Sequence, residues 1–233
     1  TRAIPIDGVG RFDGVLLGAF RRPRIEGRFE GQAIRAWNVT WGEVDGDFVV
    51  ENHYANVSRA VVLDGVSRME VSGQFSLGFP RADGGEEIDA RVRIDQRDMK
   101  DFLAAFNLQD YDVTGLVSGD FHLYGEYTQP FGFGRLTVLR GTAYGEPFAE
   151  AEAALRFEGA GVRLDALTVQ KGGTTVGGAA YVGLNGAYSF NADGRGMAVE
   201  TMAVTKMASG PGFTGLFDFS ATGSGTFDEP RYD

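Results

Sequence analysis

Ala153-Ala154-Leu155-Arg156-Phe157 and, shortly after, Val162-Arg163-Leu164-Asp165 alternate between apolar and polar residues. In an extended chain successive side chains point to opposite faces. Leu155 and Phe157 therefore share one face, Val162 and Leu164 likewise, while Arg156, Arg163 and Asp165 point the other way. That period of two is the signature of a half-buried β-strand.

The same rhythm recurs along the whole chain. Trp37-Asn38-Val39-Thr40-Trp41 sets Trp37, Val39 and Trp41 on one face, and Phe48 and Val50 follow at the same spacing. Phe75-Ser76-Leu77-Gly78-Phe79 aligns Phe75 with Leu77, and Arg91-Val92-Arg93-Ile94-Asp95 sets Val92 and Ile94 against two arginines. Phe121 and Leu123 alternate with Asp120 and His122, Leu136 with Val138 continues the pattern, and Tyr188-Ser189-Phe190-Asn191 repeats it. Each run is read as a strand of about five to seven residues closed by Gly, Asp-Gly, Asn-Gly or Pro. Asp13-Gly14, Asp45-Gly46, Asp64-Gly65, Asn185-Gly186 and Asp193-Gly194 are the expected hairpin turns. Glycine, 35 of 233 residues, is about twice its usual share and is scattered singly, as many turns and bulges require.

One segment departs from this period. From Met99 to Leu108 the apolar residues fall at helical spacing, Asp98 is a fitting N-cap and Asp101 suits the first turn, which predicts a short helix over 99–107. A single helix leaves the class all-β.

An internal repeat sets the organisation. Thr114-Gly115-Leu116, Gly125 and Pro130 return as Thr214-Gly215-Leu216, Gly225 and Pro230, and a looser earlier copy aligns at offsets between 98 and 107. The chain is divided accordingly into 1–113 (a partial repeat ending with the helix), 114–213 (a full repeat) and 214–233 (the start of a third). Eight to ten strands per repeat are expected, stacked on neighbours alone. Thr1 opens inside a strand pattern and the other end is equally abrupt, so both termini are expected to be cuts through a longer protein.

The formal charge is −10. A nucleic-acid partner is not expected, because phosphate binding needs a basic stripe and the one basic cluster is Arg21-Arg22-Pro23-Arg24. On the same charge an anionic membrane surface is not a much better partner. There is no cysteine, and His53 and His122 have no companions at metal-ligand spacing. No carboxylate pair, nucleophile setting or phosphate loop stands out. An enzyme is not expected, and neither a cofactor nor a metal.

The repeated oily face is therefore the candidate functional surface. Two packed sheets could bury it as a closed core, or it could line a trough that holds an apolar ligand. Periodicity alone leaves both open.

The stretch Gly134-Arg135-Leu136-Thr137-Val138 through Thr142-Ala143-Tyr144-Gly145-Glu146-Pro147-Phe148 resembles the bacterial AsmA-like superfamily. The runs 155–159 and 162–165 and the repeated opening at Thr114 and Thr214 extend the likeness, most of all to its TamB (translocation and assembly module) branch. The resemblance implies an elongated, twisted antiparallel β-groove (a taco-shaped β-taco) in a periplasmic protein anchored in the inner membrane. It further implies an interior that carries phospholipid or other acyl lipid between inner and outer membranes, and an outer-membrane barrel partner of the assembly-factor type engaged by parts outside this chain. A scaffold for outer-membrane protein assembly, taking client strands on its edges, and a closed-core β-solenoid are the alternatives.

Overall fold

The computed structural model describes residues 6–36, 39–77, 87–105, 108–126, 128–203, 214–226 and 230–232. The protein is all-β: the described residues form antiparallel strands whose order follows chain order, with one short α-helix. Two compact units divide the chain, Thr1–Arg97 with Gly119–Phe133, and Asp98–Ser118 with Gly134–Asp233.

The first unit is built on β1 (Ile6–Ala19), β2 (Arg22–Ala36), β3 (Val39–Glu51), β4 (Tyr54–Asp64), β5 (Ser67–Ser76) and β6 (Glu87–Asp98). Its register collects the alternating residues into rows. Leu16, Ile25, Val50, Ala55, Phe75 and Ile88 face one another across the six strands. A parallel row runs Phe12, Phe29, Gly46, Ala60, Val71 and Val92, and another runs Val44, Val62, Met69 and Ile94. The opposite face alternates in charge instead. Arg28 bonds Asp45 at 2.6 Å, Arg11 bonds Asp13 at 2.7 Å and Arg68 bonds Glu70 at 2.7 Å. Exposed pairs of this kind add little stability singly, but they fix which face is wet.

These strands run 10 to 15 residues, about twice the length read from the alternating runs. The reason lies in the glycines. Asp13-Gly14, Asp45-Gly46 and Asp193-Gly194 lie inside strands and are not turns, whereas Asp64-Gly65 and Asn185-Gly186 do sit between strands. An interior glycine leaves a gap on the sheet face, and an aromatic ring fills it. Phe29 lies over Gly10, where an added Cβ would come within 2.6 Å of the ring, and Phe219 lies over Gly194. The tight turn between β3 and β4 uses Asn52-His53, both at positive φ (50° and 69°), which matches the twist of a two-residue hairpin.

Beyond the short β4–β5 hairpin, one side chain ties the flanking strands together. Arg97 of β6 donates to the Thr40 carbonyl at 2.6 Å and to Asp64 at 3.2 Å, with its guanidinium 5.4 Å from the Trp41 ring centre. The residue is only 5% exposed, so its charge survives burial through these partners.

The second unit holds α1 (Met99–Ala105), parts of β7 (Val113–Glu126) and β8 (Gln129–Ala143), then β9 (Glu146–Glu158), β10 (Gly161–Lys171), β11 (Thr174–Gly183), β12 (Ala187–Ala198), β13 (Leu216–Thr226) and β14 (Pro230–Tyr232). Asp98 caps α1 as expected, accepting from the Lys100 amide at 2.8 Å. The expected helix residues 106–107 lie outside the described residues. Met99, Val117 and Val138 form the buried cluster beneath the helix, with Phe102, Leu103 and Leu136 against it.

Six strands, β1 to β6, precede α1; six more, β7 to β12, precede a single 3₁₀ turn at Val199–Thr201. Six long strands thus occupy the length for which eight to ten short ones were expected. Gly8, Gly115 and Gly215, near the starts of β1, β7 and β13, share positive φ values of 136°, 135° and 146°. The 3₁₀ turn is tied back by a buried cation. Lys171 donates to Glu146 at 3.0 Å and to the Pro147 carbonyl at 2.8 Å, and the Glu146 carboxylate accepts the Ala203 amide at 2.9 Å.

If ring-over-glycine contacts set the sheet surface, Gly194→Ala will cost about 1–3 kcal/mol by overpacking. Because Phe219 alone fills that space, the cost will shrink markedly in a Phe219→Ala background. Denaturant unfolding of the four proteins in this cycle measures it; equal costs in both backgrounds would contradict the packing account.

Candidate functional site

Most of the expected lining residues come together, by register, on one face of each unit. In the second unit, Phe157 faces Val162, Val162 faces Val182, and Val182 faces Tyr188. The next row is Leu155, Leu164, Ala180 and Phe190. Farther along, Ala151, Val169, Val176, Gly194 and Phe219 continue the apolar face. Small residues in β11 and β12 leave room between the large side chains of their neighbours.

The reverse face is polar. Arg156 and Arg163 stand opposite each other, and Glu158 bonds both, at 3.1 and 3.2 Å. The hydrogen bond from Arg163 holds the Glu158 carboxyl below its usual range. Ser189 and Ser224 carry the same face onward.

At the helix end of this unit the apolar rows line a half-open pocket of about 160 Å³. Met99, Phe102, Leu103 and Leu108 line it on the helix side, and Leu136, Leu155, Phe157, Val162, Leu164 and Val182 on the sheet side. Its volume is on the scale of an apolar cavity that admits a benzene-sized guest, about 150 Å³. Tyr111 borders it and donates its hydroxyl to the Ala187 carbonyl at 3.2 Å. Burial, aided by the nearby Tyr144, Tyr181 and Tyr188, pushes the Tyr111 phenol up to about 12.

In the first unit, Val50, Phe75 and Val92 are half-buried on the rows already described and Ile94 is buried there, while Phe48 is half-buried on the row between the first two, facing Gly27 and Val57. Toward β1 the same face opens, with Phe12 48% and Leu16 72% exposed. Phe121 is buried and Leu123 half-buried, whereas Leu77 is exposed just past β5. Val138 belongs to the buried cluster under α1. Trp41 departs from the expected lining. Register shifts between β2 and β3 near Gly42 interrupt the alternation, and Trp41 is covered by Arg97 instead of joining a row. Val39, beyond the same shifts, is buried. Trp37 lies outside the described residues.

Alternation did not single out Phe12, Phe29, Val57, Val71 or Val182, although each occupies a row. Their neighbours include glycines and short polar residues, so the signal is visible only once cross-strand partners are known.

His122 shares a 2.7 Å hydrogen bond with Asp89 and lies against Phe133. Among the described residues no group of three or more His, Cys, Asp or Glu is placed to hold a metal. No helix among them is long and apolar enough to cross a membrane.

The Tyr111 phenol gives a direct readout of this end of the site. Folding keeps it protonated above its ordinary value of about 10, so the stability it contributes is full below pH 10 and is lost as pH climbs toward 12. Melting temperature will fall across that window, and Tyr111→Phe will remove that part of the fall. A Tyr111→Phe profile parallel to that of the parent would contradict this assignment.

Compared with known proteins, the chain matches no family model, no curated protein and no solved structure.

Proposed function

We propose that the chain is a segment of a bridge-like lipid-transfer protein whose apolar strand faces hold acyl chains. The observation that carries this reading is the register. In each unit large aliphatic and aromatic side chains align across successive strands on one face, while ion pairs occupy the other.

The dimensions suit such a ligand. Strands lie about 4.8 Å apart, so a row across six strands is roughly 24 Å long. An acyl chain occupies about half of a hydrocarbon core that is roughly 30 Å thick. Covering it gains about 0.8 kcal/mol per methylene, so partial coverage of a long chain outweighs the cost of holding it. Apolar rows also have no directional bonds to break, which permits a chain to pass from one row to the next. The half-buried state of Phe48, Val71, Leu164 and Phe190 favours this reading over a closed core, in which such residues would be sealed.

The resemblance to AsmA-like proteins supports the wider setting of this proposal. In that setting the protein is periplasmic and held in the inner membrane by a segment outside this chain, it moves phospholipid between the two membranes, and it meets an outer-membrane barrel partner.

Adjacent positions on opposite faces provide the test. A photo-crosslinking amino acid at Phe48 or Phe190 will capture acyl lipid in cells, and one at Asp47 or Asn191 will not. Equal capture on both faces would overturn the proposal. Capture of peptide in place of lipid would favour the strand-augmentation scaffold.

A further inference from the structure

The β1–β2 hairpin bares large apolar side chains on both faces of one strand end. Its β1 arm ends Val15-Leu16-Leu17-Gly18-Ala19-Phe20, apolar on both faces of the strand. Leu16 stands opposite Ile25 on the apolar face, but Val15 stands opposite Glu26 and Leu17 opposite Arg24, on the charged face. All three are exposed, and Phe20, in the two-residue turn, is fully so. A sheet with one wet side gives no packing role to an apolar cluster bared on both faces at a strand end.

Charge sits beside it. Arg24 is neutralised by Glu26 and Glu51, at 2.6 and 2.9 Å. Arg21 and Arg22 are exposed and have no ion-pair partner among the described residues. The tip is therefore an exposed aromatic and aliphatic wedge flanked by two free guanidinium groups. We propose that the Phe20–Arg22 hairpin tip docks on an anionic bilayer surface, with Phe20, Leu16 and Leu17 entering the interface and Arg21 and Arg22 meeting lipid phosphates.

The chemistry favours a bilayer over a protein groove. Phenylalanine and leucine side chains gain by entering the headgroup/acyl boundary, and arginine stems lie along apolar surface while their heads reach phosphate. The net charge of −10, which taken over the whole chain argues against an anionic surface, acts little at the tip, because charges more than about 8–10 Å from the surface are screened at physiological salt. The tip's own balance decides, and it is positive. Leu16 belongs to both this tip and the first apolar row, but Phe20, Arg21 and Arg22 lie outside the rows, so substitutions at those three test docking apart from acyl-chain binding.

Flotation with vesicles tests it, comparing phosphatidylglycerol mixed into phosphatidylcholine against phosphatidylcholine alone. The chain will bind the anionic vesicles preferentially, and binding will weaken as salt rises. Phe20→Ser will lower binding about tenfold, and Arg21→Gln with Arg22→Gln about fivefold per arginine. Exposed at the hairpin tip, these substitutions leave the fold intact, which circular dichroism checks. Equal binding to both vesicle types, or unchanged binding by both variants, would overturn the proposal. Vesicle-independent self-association abolished by Phe20→Ser would also overturn it, identifying a second copy as the occupant.

Discussion

Cross-strand register is the constraint on which both apolar faces depend. Side chains alternate along a strand, so a slip of one residue between β3 and β4 would carry Phe48 and Val50 to the charged face and bring Asp47 into the oily row. The charged face opposes such slips. Arg28 with Asp45, Arg24 with Glu51 and Arg163 with Glu158 each join neighbouring strands and fit only one alignment. Each pair is weak when exposed, yet together with the burial of the opposite rows they leave one alignment with both faces satisfied.

A sheet of long strands must also absorb its own twist and the differing bulk of its side chains. Glycines inside the strands, covered by rings from neighbouring strands, supply that adjustment without opening voids. Where the ladder is interrupted, specific polar contacts take over. Arg97 reaches Thr40 and Asp64 past the β4–β5 turn, and Lys171 with Glu146 holds the segment after β12.

Much of this was legible in the sequence, for a physical reason. A period of two is a local property, so Leu155, Phe157, Val162 and Leu164 declare their shared face without any knowledge of pairing. The Asp98 cap is equally local. What stayed hidden depends on partners distant in the chain. Asp13-Gly14 and Asp64-Gly65 are the same dipeptide, but the first lies inside a strand, its glycine under the Phe12 ring, and the second turns a hairpin. Nothing in the dipeptide separates them. Trp41 fits the alternation of its own run, and only the shifted register with β2 removes it from the rows. Phe29 and Val182 gain their place from residues 17 to 20 positions away, such as Phe12 and Val162.

Methyl groups on the two faces of one sheet offer the most direct test of the central claim. Val44, Val57, Val71 and Val182 point into the oily rows, whereas Val49, Val61 and Leu63 share the charged face with Asp45, Glu70 and Arg68. A spin-labelled fatty acid added to methyl-labelled protein should broaden the NMR signals of the first set and spare the second. Equal broadening of both sets, or none in either, would contradict an acyl-binding face.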